Sequence, residues 1–162
     1  MATESRNPRR MWLIVWVGLT LAPLIYYYAG SMMTPDAIDP AQIARFHARA
    51  RVFAALQLLL GAFLFTRARR ASLGPPGLAR LLGGEGLATP ADFQTRFIIA
   101  SALVEACAIW GFGLRAMGAP IQDYVPFGGA TFGVFLLLGL PTGLSYWRAR
   151  KMADQGGSSA IE

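Results

Sequence analysis

A single carboxylate, Glu105, lies inside an otherwise uncharged apolar stretch from Phe97 to Leu114. It is the only acidic residue in any of the chain's four apolar segments. An acid at mid-bilayer depth is costly, and residues of this kind pair with polar groups or carry ions and protons. Two kinds of chemistry are open to it. Hydrocarbon penalises the charged form, so a neutral acid can both donate and accept, clasping helices together for about 0.6–2 kcal/mol. An exchangeable carboxylate instead binds and releases a proton or Na⁺. By the i, i+3, i+4 rule, Glu105 shares a helix face with Ile98, Ser101, Ala102, Ala108, Ile109 and Phe112. Ser101, one turn earlier, is a candidate hydrogen-bond donor. Gln57 in the second segment is a candidate partner, because antiparallel neighbours would bring the two residues to similar depth. Arg115 lies ten residues on. That is about 15 Å along a helix axis, too far for a simple pair.

The remaining reactive residues are sparse. His47 is the only histidine and Cys107 the only cysteine. No multi-histidine metal site, bis-histidine haem site or intrachain disulfide can form from this chain alone. Cys107 reads as a small hydrophobe within a helix. No Ser/His/Asp or Cys/His set is available, so the expectation is a protein that is not an enzyme and holds neither cofactor nor metal.

The elements that must position these residues are membrane helices. Hydrophobic residues make up 54% of the 162, and only 15% are charged. A soluble domain carries about 25% charged residues. Four apolar segments account for the balance, with spans expected at about 11–30, 50–67, 97–115 and 126–147. They are continuous runs rather than alternating ten-residue stretches, which favours helices over a β-barrel. The second is short for a span of roughly 20 residues. Snorkelling arginines at its ends would lengthen it, with a re-entrant helix as the other reading. The expected fold is an all-α membrane protein, an antiparallel up-and-down bundle over residues 1–152.

Charge sets the expected orientation. Fourteen of the fifteen basic residues are arginine, and they flank the apolar segments. With four spans, eleven fall on one side: Arg6, Arg9, Arg10, Arg67, Arg69, Arg70, Arg80, Arg96, Arg148, Arg150 and Lys151. The other side has only Arg45, Arg49, Arg51 and Arg115. The positive-inside rule then puts both termini in the cytoplasm of a bacterial-type inner membrane. Arg9, Arg10, Arg67, Arg69, Arg70, Arg148, Arg150 and Lys151 are candidate contacts for anionic lipid headgroups. The net charge of +6 is therefore topological, not a sign of nucleic-acid binding. The first apolar run, about 19 residues, exceeds the h-region of a signal peptide and reads as a retained anchor.

Local signals mark the ends. Asp39-Pro40 and Thr89-Pro90 are cap-then-proline helix starts. Pro23 and Pro141 should bend the first and fourth helices. Trp12, Trp16 and Tyr26–Tyr28 read as interfacial aromatic belts. Gly74-Pro75-Pro76-Gly77 breaks the connector, with a short interfacial turn over 78–82. Gly129/Gly133 and Gly139/Gly143 have the small-xxx-small spacing of close helix approach. Residues 153–162 read as a disordered tail.

The run Arg96-Phe-Ile-Ile-Ala-Ser-Ala-Leu-Val-Glu105-Ala-Cys-Ala-Ile-Trp-Gly111 resembles the carboxyl-bearing helix of the rotor-ring proteolipid, subunit c, of rotary ATP synthases. That resemblance implies an ion-binding role for Glu105 and a helping hydroxyl at Ser101. It covers about a tenth of the chain. The glycine-rich partner helix and short hairpin loop of subunit c have no counterpart here. The whole layout, including Pro141-Thr142 in the fourth helix, resembles a group of small bacterial four-helix membrane proteins with no established activity. The expected role is structural or accessory, as a homo-oligomer or within a larger membrane complex. Proton, Na⁺ or small-solute movement through Glu105 is the alternative.

Overall fold

A computed structural model describes residues 7–34, 39–73 and 89–158. The expected connector break and turn over 74–86, Arg6, Arg80 and the end of the tail at 159–162 lie outside these residues. Every regular element among the described residues is helical. Four helices are long and apolar enough to cross a membrane.

Helix α1 spans Pro8–Met32, with Asn7 as N-cap accepting from the Arg9 amide and Pro8 at the first position. Helix α2 spans Pro40–Leu73, 34 residues. At 1.5 Å per residue that is about 51 Å, well beyond the ~30 Å hydrocarbon core. The helix as a whole is thus long enough to cross, because the Asp39-Pro40 start sits ten residues before the apolar run. Asp39 Oδ1 accepts the Ala41 amide at 2.9 Å, as a cap should. Helix α3 spans Pro90–Ala116. Thr89 caps it, accepting the Asp92 amide at 3.2 Å and donating to Asp92 Oδ2 at 2.7 Å. Its other end is a Schellman motif: the Ala119 amide donates to Leu114 O and the Gly118 amide to Arg115 O. Gly118 has φ 93°, the left-handed conformation that this turn requires.

A 3₁₀ turn over Ile121–Asp123 leads into helix α4, built of Val125–Val134, a π-helical turn over Phe135–Gly139, and Leu140–Ser158. Pro141 has no amide proton to return to Leu137, and the π turn lies just where that bond is missing. Trp16 Nε1 donates to Phe135 O at 3.3 Å, giving a carbonyl of the turn a partner on α1. The tail expected from residue 153 is helical as far as Ser158.

Helix α3 is the hub. It packs on the other three helices, whereas α1 packs on α3 and α4 rather than on its chain neighbour α2. Its buried seam is Phe93, Phe97, Ala100, Val104, Cys107, Gly111 and Leu114. The alternating steps of four and three are those of a coiled coil. Against it α2 sets small residues, Ala50, Ala54 and Gly61. A Cβ on Gly61 would stand 2.5 Å from Val104 Cγ2, so the glycine permits this approach. Gly143 does the same for α1 and α4, since a Cβ there would meet the Trp12 ring at 1.8 Å. Of the other glycines in the expected pairs, Gly129 and Gly133 face open space and Gly139 meets its neighbours at ordinary contact distances.

The pairings along the hub have a consistent order. On α1, Trp12 meets Phe97 and Tyr26 meets Glu105, so numbers rise together. On α2, Phe65 meets Phe97 while Phe46 meets Trp110, so they run opposed. On α4, Tyr146 stacks on Phe93 and Thr131 donates to Val104 O, again opposed.

Candidate functional site

Glu105 lies on the side of α3 that meets α1. Tyr26 Oη donates to Glu105 Oε1 at 2.8 Å. Among the described residues this is the one hydrogen bond that reaches the carboxyl. Phe112 packs a tilted ring against Tyr26 with centroids 5.7 Å apart, holding the phenol over the acid. The carboxyl is only half-buried. On its own helix Ala102 is exposed, as are Ile98 at 49% and Ile109 at 52%. The stripe centred on Glu105 therefore straddles a boundary. Ser101 and Ala108 turn into the bundle, Phe112 packs on Tyr26, and Ile98, Ala102 and Ile109 turn out toward the surrounding phase.

The expected Gln57–Glu105 pair is not formed. Gln57 Oε1 instead accepts from Trp110 Nε1 at 2.9 Å. Trp110 and Glu105 are five residues apart, about 140° around a helix, so a residue facing α2 cannot also face α1. Phe46 and Phe53 hold Trp110 between them, with centroids at 5.7 and 5.6 Å. Ser101 is fully buried, and its Oγ has no hydrogen-bond partner. It does not reach Glu105.

Two further polar ties bind the same end of α1, and neither was drawn from the sequence. Arg115 donates through Nε to Gly30 O at 2.7 Å and through Nη2 to Met33 O at 2.5 Å. Its Nη1 donates to Ala119 O at 3.1 Å. The last carbonyls of a helix have no partner within it, and this guanidinium supplies one. Tyr124 Oη donates to Pro23 O at 2.6 Å. Three consecutive tyrosines, each about 100° apart on a helix, cannot all face lipid. That spacing was the available signal for Tyr26.

Elsewhere, cross-helix bonds run from hydroxyl and thiol to backbone. Thr142 donates to Phe65 O at 3.3 Å, and the Cys107 thiol donates to Phe127 O at 3.6 Å. His47 packs its ring near Phe127, and its Nε2 is buried without a partner. No cluster of three or more metal-ligating side chains occurs among the described residues. Of the candidate headgroup contacts, Arg9, Arg10, Arg67, Arg69, Arg70, Arg148 and Lys151 are exposed. Arg150 is half-exposed and pairs with Asp154 at 3.4 Å. Compared with known proteins, the chain matches no family model, no curated protein and no solved structure.

Proposed function

We propose that this chain is a small multi-pass membrane protein of structural or accessory role, acting within or beside a larger membrane complex. In this reading Glu105 is a neutral polar contact that fixes α1 against α3. The observation that carries it is the 2.8 Å hydrogen bond from Tyr26 to Glu105. It joins two helices at a depth where water offers no competing partner. The reading includes no reaction of the chain's own. It places the helices up and down, with both termini on the arginine-rich cytoplasmic side of a bacterial-type inner membrane and the exposed arginines against anionic lipid. The order of pairings along α3 supports the alternating directions.

Proton or Na⁺ movement through Glu105 is the second reading. It is favoured by the carboxyl's place at the edge of the bundle and by the unpartnered Ser101 hydroxyl one turn away. Labelling of native membranes with a hydrophobic carbodiimide separates the two. The accessory reading expects Glu105 to label equally with and without Na⁺. Protection by Na⁺, or labelling that is lost as pH rises, would move the assignment to ion or proton exchange.

A further inference from the structure

We infer that α2 measures the bilayer: arginine pairs at its two ends bind lipid phosphates of opposite leaflets and select a hydrocarbon core about 27 Å thick. This rests on the membrane setting proposed above and on no role for Glu105. It adds a contact with the outer leaflet and a preferred lipid length.

The triplet Arg49-Ala50-Arg51 recurs as Arg67-Ala68-Arg69, 18 residues on. Both triplets belong to one unbroken helix, Pro40–Leu73. Eighteen residues make about five turns, so Arg49 stands over Arg67 and Arg51 over Arg69. The rise between the triplets is about 27 Å, against ~30 Å for an average hydrocarbon core. All four arginines are exposed. Between Arg49 and Arg67, steps of three and four pass through Val52, Leu56, Leu60 and Phe63, each 49–60% exposed. The result is a band of lipid contact with a cation at each rim.

The cations take their complement from outside the chain. Helix α2 contains no acidic residue. Among the described residues, no ion pair or hydrogen bond engages any of the four guanidiniums. Lipid phosphates lie at both rims, and a guanidinium binds them through paired N–H donors. Cations fixed at two rims penalise a core that is thicker or thinner than the gap between them. Helix α3 repeats the spacing. Arg96 and Arg115 lie 19 residues apart, about 28 Å, and Glu105 is the one charge between them. The Phe65–Phe97 contact brings Arg67 and Arg96 to the same end of the bundle. Arg115 marks the other rim by binding backbone carbonyls rather than phosphate.

The test uses the full chain in phosphatidylcholine vesicles of graded acyl length. Leu59→Cys, at a 69% exposed position of α2, carries a fluorophore, and Cys107 is buried. Lipid with a nitroxide on its chain quenches the fluorophore, and unlabelled lipids of each length compete. Competition should be strongest for the lipid whose core is about 27 Å thick. Arg49→Leu with Arg51→Leu leaves Arg45, four residues farther out, as the outer cation. That pair should move the optimum to a core about 6 Å thicker. Arg49→Lys with Arg51→Lys should leave the optimum in place. Equal competition at every length, an optimum that the leucine pair leaves unmoved, or one that the lysine pair moves as far, overturns the proposal. Release of the chain by alkaline carbonate would refute the membrane setting and the proposal together. An integrated chain with no optimum refutes the proposal alone.

Discussion

Glu105 gains its meaning from its direction on α3. The sequence marks it as the one acid in apolar surroundings, and the expectation that it makes a polar contact needs nothing more. Which helix supplies the partner depends on an angle. An apolar helix in lipid has no polar face to reveal which side is buried. Ser101 and Gln57 were natural candidates on chemistry and depth, yet Glu105 faces α1, and Tyr26 holds it. Gln57 belongs to a separate contact with Trp110. Gln57→Leu should therefore cost about 1 kcal/mol of stability by leaving an indole donor unsatisfied. The loss should add to that of Glu105→Leu with no coupling, as measured by unfolding in detergent. Strong coupling between the two positions would restore the pairing expected from the sequence.

At the scale of elements, the starts of α2 and α3 are written in residues that cap helices for local reasons. Asp39-Pro40 and Thr89-Pro90 are legible for that reason, and both form. The Pro141 signal is also local, though a π turn rather than a simple bend answers it. The fastening of the C-terminal end of α1 was not legible. It depends on Arg115 reaching back across the bundle to Gly30 and Met33, 85 and 82 residues away in the chain. A guanidinium that looks like a topology marker acts here as the cap of another helix. Arg115→Met should leave Met33 O without a donor and Gly30 O with only the 3.3 Å bond from the Met33 amide, and cost about 1–3 kcal/mol. Amide exchange should accelerate in the last turn of α1 while the middle of α3 stays protected. Unchanged exchange at Ala29–Met32 would remove Arg115 from this role.

For the whole molecule, four apolar segments in the sequence become four helices capable of crossing a membrane. Their arrangement around α3 was not legible, because hydropathy counts spans without saying which spans touch. The proposed sidedness rests on charge alone and can be tested directly. Thr34→Cys should react with a membrane-impermeant maleimide in intact spheroplasts, and Gln155→Cys only after permeabilisation. Cys107 is buried and should give little background. The reverse pattern would invert the protein in the membrane. The claim on which the account turns is that Tyr26 and Glu105 hold α1 to the bundle. A double-mutant cycle with Tyr26→Phe and Glu105→Leu, read by reversible unfolding of the full chain in bicelles, measures it most directly. The account predicts a coupling of about 0.6–1.7 kcal/mol, the range found for hydrogen bonds between membrane helices. Strictly additive losses would mean that the hydroxyl and the carboxyl do not hold each other, and the structural role given to Glu105 would be wrong.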